Sequence, residues 1–138
     1  MKTKGQERAA FAYQKISQAL EALGKEKAKE FASFVAGLPA MILQNGLGHT
    51  LCFLLAKDQN NRNTKHWFAF EAMTSWLAKN KHLAFEATKP AETIKKLTEK
   101  EALEYIALQE EALRFLEWFK VMSKMFVEEF VEEKGVEK

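Results

Sequence analysis

The chain holds few side chains suited to bond-breaking chemistry. Its three histidines, His49, His66 and His82, stand apart, none with another His or Cys nearby. They read as surface or satisfied helix-end residues rather than metal ligands. The single cysteine, Cys52, lies between Leu51 and Phe53, which predicts a small apolar core residue and leaves no disulfide framework and no Cys pair for zinc. The one aspartate, Asp58, falls in a polar loop segment. Glu110-Glu111 and Glu128-Glu129 are adjacent in sequence, but neighbours on a helix point about 100° apart. They read as solvated faces, whereas metal-dependent hydrolysis needs carboxylates or His gathered at i, i+3 or i, i+4. No Walker loop, G-x-G-x-x-G or G-x-S-x-G pattern occurs. The chain is therefore expected to be non-enzymatic, with no catalytic residue, no metal site and no cofactor.

What the sequence offers instead is positive charge. A net charge of +2 over 138 residues hides a division: residues 1–98 carry 15 Lys/Arg against 8 Asp/Glu, and residues 99–138 carry 6 against 11. A local excess of Lys and Arg attracts phosphates and gives salt-sensitive binding that is blind to base sequence. The opposite sign of the C-terminal part suits head-to-tail stacking of copies. Lysines on helix surfaces also serve solubility alone, so a helical protein-interaction adaptor without nucleic-acid binding stands as the alternative function. Trp67, Phe70, Trp76, Phe115, Trp118 and Phe119 follow helical spacing and read as core rather than as base-stacking platforms.

The elements that would carry these charges are helices. Two prolines and six glycines punctuate the chain, and no alternating β-branched run occurs. The expected fold is all-α: a compact single-domain bundle, residues 1–138, of about five or six helices with a long C-terminal helix. The first helix is predicted over 6–23, with Ala9, Ala12, Tyr13, Ile16, Ala19, Leu20 and Leu23 on its apolar face. Lys4, Arg8 and Lys15 lie on the opposite flank with Phe11 among them. Further helices are predicted over 25–36, 39–45 and 47–57, then over 65–80 with Trp67, Phe70, Met73, Thr74 and Leu77 inward. Residues 58–64 form a surface loop and 81–89 a connector. A short helix starts at Pro90, where the missing N–H has no partner to lose. Thr98 and Glu101 have capping-box spacing, which predicts that the last helix begins there. Ala102, Ile106, Gln109, Leu113, Leu116, Phe119, Phe126 and Phe130 share its stripe. That helix is expected to reach about 133, with a break near Ser123 and an acidic tail, 128–138, that frays at its end.

Between Phe31 and Ala56 there is no Asp, Glu, Lys or Arg. The apolar runs in this window are too short and too interrupted by Gln44, Asn45, Gly46 and Gly48 to span a membrane, which needs about 18 or more apolar residues. The start, MKTKGQERAA, lacks the apolar stretch of a secretory signal. A cytoplasmic protein without membrane partners is expected. The 47–57 helix is apolar on all sides. It is either enclosed at the centre of the bundle or reserves a face for a neighbouring subunit.

Arg8-Ala9, Leu38-Pro39, Ile42, Gly46-Leu47, Leu51, Phe53, Ala56-Lys57, Trp76-Leu77, Tyr105 and the run EEALRFLEWFK at 110–120 together resemble the small all-helical subunit of the type III-B CRISPR effector, the Cmr RNA-silencing complex. The resemblance does not extend to the 58–64 loop, the 81–97 connector or the acidic tail. It implies a scaffolding role in antiviral defence. Such subunits stack as a minor filament beside the backbone subunits that hold the CRISPR RNA, and cleavage belongs to other subunits. The implied partners are other Cmr subunits, above all the backbone subunit, copies of the chain itself, and the guide RNA and target RNA. Within the matching segments, the residues implied to meet RNA phosphates are Arg8, Lys57, Arg114 and Lys120, with Lys4, Lys15 and Arg62, outside the matched residues, in support. Arg114 also stands at i, i+4 from Glu110 and can pair with it.

Overall fold

The structure is a computed structural model and describes residues 1–80, 83, 86 and 88–137, the last eight of these as backbone only. Thr3 starts the first helix, α1 (Lys4–Leu23), through a reciprocal cap: its hydroxyl accepts from the Gln6 N–H, and the Gln6 side chain accepts from the Thr3 N–H. The sequence T-K-G-Q is thus a working capping box. Thr98-Glu99-Lys100-Glu101 is not, because the Thr98 hydroxyl donates to the Lys95 carbonyl and ends α6 (Pro90–Thr98). The last helix, α7 (Ala102–Glu137), begins later, after Glu101. It runs through Ser123 without the expected break, and Ser123 is buried against the bundle. Of the tail expected to fray, residues 130–138 lie outside those whose side chains are described, and His82 lies outside the described residues.

Between these ends the order is a 3-10 turn at Lys25–Lys27, α2 (Ala28–Ala36), α3 (Leu38–Asn45), α4 (Leu47–Asp58) and α5 (Lys65–Lys79). No strand occurs among the described residues. The all-helical bundle with a long C-terminal helix is what the periodicity predicts. Helix α7 packs on α1, α2, α3 and α5, and α4 packs on α3, α5 and α6.

The core contains Ile16, Phe31, Leu38, Ile42, Leu51, Leu54, Phe70, Met73, Trp76, Phe115 and Phe119. Its aromatic centre stacks Trp76 on Phe115 (5.8 Å between centroids) and Phe115 on Phe119 (5.3 Å). The α5 face is the predicted one. The buried stripe of α7 is the predicted one only in part: Leu116, Phe119 and Phe126 are buried as expected, but the stripe also takes in Leu108, Ala112 and Phe115, while Ile106 is 51% exposed. Phe115 inserts into the aromatic stack, and that contact sets the rotation of the helix.

Helix α4 also departs from the reading of its sequence. Leu47, Leu51 and Leu54 are buried, whereas Cys52 and Ala56 are exposed and Phe53 and Leu55 half-buried. Cys52 is therefore not a core residue, and α4 is not enclosed on all sides. Its first amides are held by α7: Leu47 N–H donates to Gln109 Oε1 (2.9 Å) and Gly48 N–H to Tyr105 Oη (2.8 Å). Gly46 makes the turn at φ 89°, a backbone that favours glycine, and a Cβ there would lie a tight 3.3 Å from Tyr105 Oη.

Asp58 was expected on a surface loop. It is buried, and its carboxylate accepts from the Arg62 N–H and from the Thr64 hydroxyl (2.5 Å). Thr64 in turn caps α5 by accepting from Trp67 N–H. The Asn-rich segment is thereby tied down, with Gln59, Asn60 and Arg62 at positive φ.

Candidate nucleic-acid interface

The structure divides the basic candidates into two sets. On the α1 flank, Arg8 and Lys15 are drawn in from open solvent, whereas Lys4 stays exposed. Phe11, between them, packs against Trp76 (5.3 Å) and Phe115 (6.1 Å) and draws the flank into the seam between α1, α5 and α7. Arg8 meets Glu111 through two hydrogen bonds, Nε to Oε2 (2.6 Å) and Nη2 to Oε1 (2.8 Å), with both side chains nearly buried. Trp76 Nε1 donates to the same carboxylate at 2.9 Å. The hydrogen bonds from Arg8, and secondarily that from Trp76, hold the Glu111 carboxyl below its ordinary range against the opposing effect of burial. The same bonds raise Arg8. This forked geometry is the strong form of an ion pair; it engages Nε and Nη2 and leaves the Arg8 side chain only 13% exposed.

Lys15 is similarly engaged, 2.6 Å from Glu71 Oε1 and over the Phe11 ring. Lys4 bonds the Asn80 side chain and lies over Trp76, with Glu7 at 3.9 Å. The α1 cations therefore act first as internal ties.

The second set is more open. Lys57, in the last turn of α4, is exposed and lies 5.9 Å above the Phe53 ring. Arg62 lies with its guanidinium 4.4 Å from the Trp67 ring centroid. Arg114 is exposed and makes no ion pair among the described residues, so the i, i+4 contact with Glu110 is not formed. Lys120 is 4.0 Å from Glu117 at the surface. Trp118 is the aromatic that departs from the core reading, at 40% exposed.

Two depressions gather lysines on either side of α2. A cleft of about 530 Å³ is lined by Lys27, Lys57, Lys65, His66, Asn63, Thr64 and Glu30 above an apolar floor of Leu23 and Phe31. A groove of about 640 Å³ is lined by Lys29, Lys120 and Lys124 over Ala32, Ser33, Ala36, Val121 and Val127. Together their linings hold six lysines and one carboxylate. Glu30 lies 3.0 Å from Lys65 and 3.8 Å from Lys27, and the bond from Lys65 lowers its carboxyl below the ordinary value. His66, packed edge-on to Phe34 at 4.8 Å, is pushed down by burial first and then by Lys65 and Lys57, so it is neutral at pH 7.

Lys27, Lys29, Lys65, Lys124 and His66 are not among the phosphate-contact residues read from the sequence. The available signal was the alternation K-E-K-A-K at 25–29, which closes just before the uncharged window, with Lys57 just after it. Among the described residues no group of His, Cys, Asp and Glu could hold a metal ion, and no helix is long and apolar enough to cross a membrane.

Fold and surface thus define a small all-helical protein whose charged depressions, rather than any cluster of reactive groups, distinguish its surface. Residues 4–126 match the model of the family described as CRISPR-associated protein (Cas_Cmr5), and the chain belongs to that family. It is a small helical subunit of the type III-B CRISPR effector, the Cmr complex, with other Cmr subunits as partners.

Proposed function

We propose that the chain is a non-catalytic structural subunit of the Cmr ribonucleoprotein in antiviral defence, acting as a single 1–138 domain that stacks in a minor filament. Its contact with guide and target RNA is made through the lysines around α2. The observation that supports this most is the six-to-one ratio of lysines to carboxylates in the two depressions. Such a surface neutralises phosphates without reading bases, which suits a complex in which sequence is read by RNA–RNA pairing. Lys57 and Lys120 from the resembling segments line these depressions. Arg62 and Arg114 are open supporters, whereas Lys4, Arg8 and Lys15 contribute by holding α1 in place.

The test is reconstitution of the complex with Lys27, Lys57 and Lys65 replaced by Glu, followed by titration with guide–target duplex at two salt concentrations. The expected result is intact assembly, weaker binding, and a salt slope reduced by roughly one for each lost phosphate contact. Intact assembly with unchanged affinity and slope would favour the adaptor reading, in which the lysines only keep the surface hydrated.

A further inference from the structure

The long helix α7 leaves a row of large apolar side chains in solvent: Leu103 (82% exposed), Ile106 (51%), Trp118, Val121 (57%) and Met125 (43%). At 3.6 residues per turn, Leu103 and Val121 point in the same direction, and Glu110 and Arg114 fall within a few tens of degrees of it. The row is thus an apolar strip interrupted halfway by one negative and one positive residue. Both are exposed and neither makes an ion pair among the described residues.

Helical sites of this kind are self-complementary only if their spacing is symmetric about a centre, and from Leu103 to Val121 it is; Met125, whose mate at the same distance is Glu99, lies outside the symmetric part. Glu110 and Arg114 stand two residues either side of Ala112, Ile106 and Trp118 six, and Leu103 and Val121 nine. We infer that two copies of the chain pair through α7, antiparallel and about a two-fold axis at the level of Ala112. In that register Leu103 comes level with the partner's Val121 and Ile106 with the partner's Trp118. Glu110 comes level with the partner's Arg114, and each of these contacts occurs twice. An isologous contact requires this reciprocity. The paired strip from Leu103 to Val121 is about 27 Å long and a helix about 10–12 Å wide. The pair therefore covers roughly 550–650 Å² in total, below the ~1,200 Å² at which stable interfaces begin. The dimer is accordingly weak and concentration-dependent. It is closed, unlike head-to-tail stacking, and it occupies Arg114, which a dimer then withholds from RNA. It does not depend on the RNA-binding reading.

The experiment is sedimentation equilibrium of the full chain from micromolar to millimolar concentration, with Glu110→Arg and Arg114→Glu made separately. Each reversal places like charges across the two-fold and is expected to weaken self-association by roughly tenfold or more. Mixing the two variants restores opposite charges at both contacts, so the mixture is expected to recover the wild-type association. Matching thermal melts verify that the variants are folded, and Val121→Glu provides an independent disruption of the strip. A wild-type chain that stays monomeric at millimolar concentration overturns the proposal. So does a dimer that is indifferent to the single reversals, or a mixture that associates no better than its components.

Discussion

Arg8 shows how tertiary context changes the role of a residue. In sequence it is a cation on an exposed flank; in the fold it is the partner of Glu111, a carboxylate that also accepts from Trp76. Glu111→Gln keeps an acceptor for Trp76 but leaves the guanidinium without its counter-charge, so the expected loss of stability is about 3 kcal/mol, read by urea denaturation. The pH dependence follows from the same bond. Because the folded Glu111 carboxyl is held below its ordinary value of 4.5, its contribution is complete above that value and is lost as pH falls through it toward the folded value. Melts across this acid range are expected to be flatter for Glu111→Gln than for wild type. His66 behaves in the same sense for a different reason. Burial depresses it below 6.5, so the unfolded chain takes up the proton first and the small stabilisation is lost as pH drops below 6.5. If RNA phosphate enters the Lys27–Lys57–Lys65 cleft, the His66 value is expected to rise, which an NMR titration of the free and RNA-bound protein would measure.

At the scale of the elements, most boundaries were legible because the stop signals are local. Gly24, Gly37-Leu38-Pro39, Asn45-Gly46 and Pro90 act through their own backbone restrictions. Which face a helix buries was less legible, since that depends on its neighbours. Helix α4 gives the direct test. Leu54 is fully buried and Phe53 only partly, so Leu54→Ala is expected to cost about 2–5 kcal/mol. Phe53→Ala is expected to cost clearly less, as measured by thermal or urea unfolding. Equal costs would mean that Phe53 is enclosed as the uniformly apolar sequence suggested. The start of α4 has a similar dependence on α7. Gly46→Ala is expected to destabilise by about 1–3 kcal/mol through its positive-φ extended backbone, with the close approach of Tyr105 adding to it. The capping boxes make the complementary point. Two stretches have the spacing, and only Thr3-x-x-Gln6 forms the cap, because at Thr98 the hydroxyl finds the Lys95 carbonyl within its own helix first.

Over the whole molecule, the basic N-terminal part and acidic C-terminal part are partly reconciled inside the chain, through Arg8 and Glu111, rather than held wholly for neighbours. Six of the remaining lysines line the two sides of α2, and others, such as Lys95 and Lys96 on α6, lie elsewhere on the surface. Replacing Lys29, Lys120 and Lys124 by Glu, in parallel with the Lys27, Lys57 and Lys65 set, would show which side RNA follows in the assembled complex. The set with the larger loss of salt-dependent affinity marks it, and no loss from either removes α2 as the contact. The sequence by itself determined the helical class, the long final helix and the absence of recognisable catalytic motifs, because periodicity, turn residues and motif spacing are properties of neighbouring positions along the chain. Only the tertiary structure decided which cations are free. Arg8 and Glu111 are 103 positions apart, and no local pattern can say whether a charge will meet its opposite across a helix seam or be left facing water.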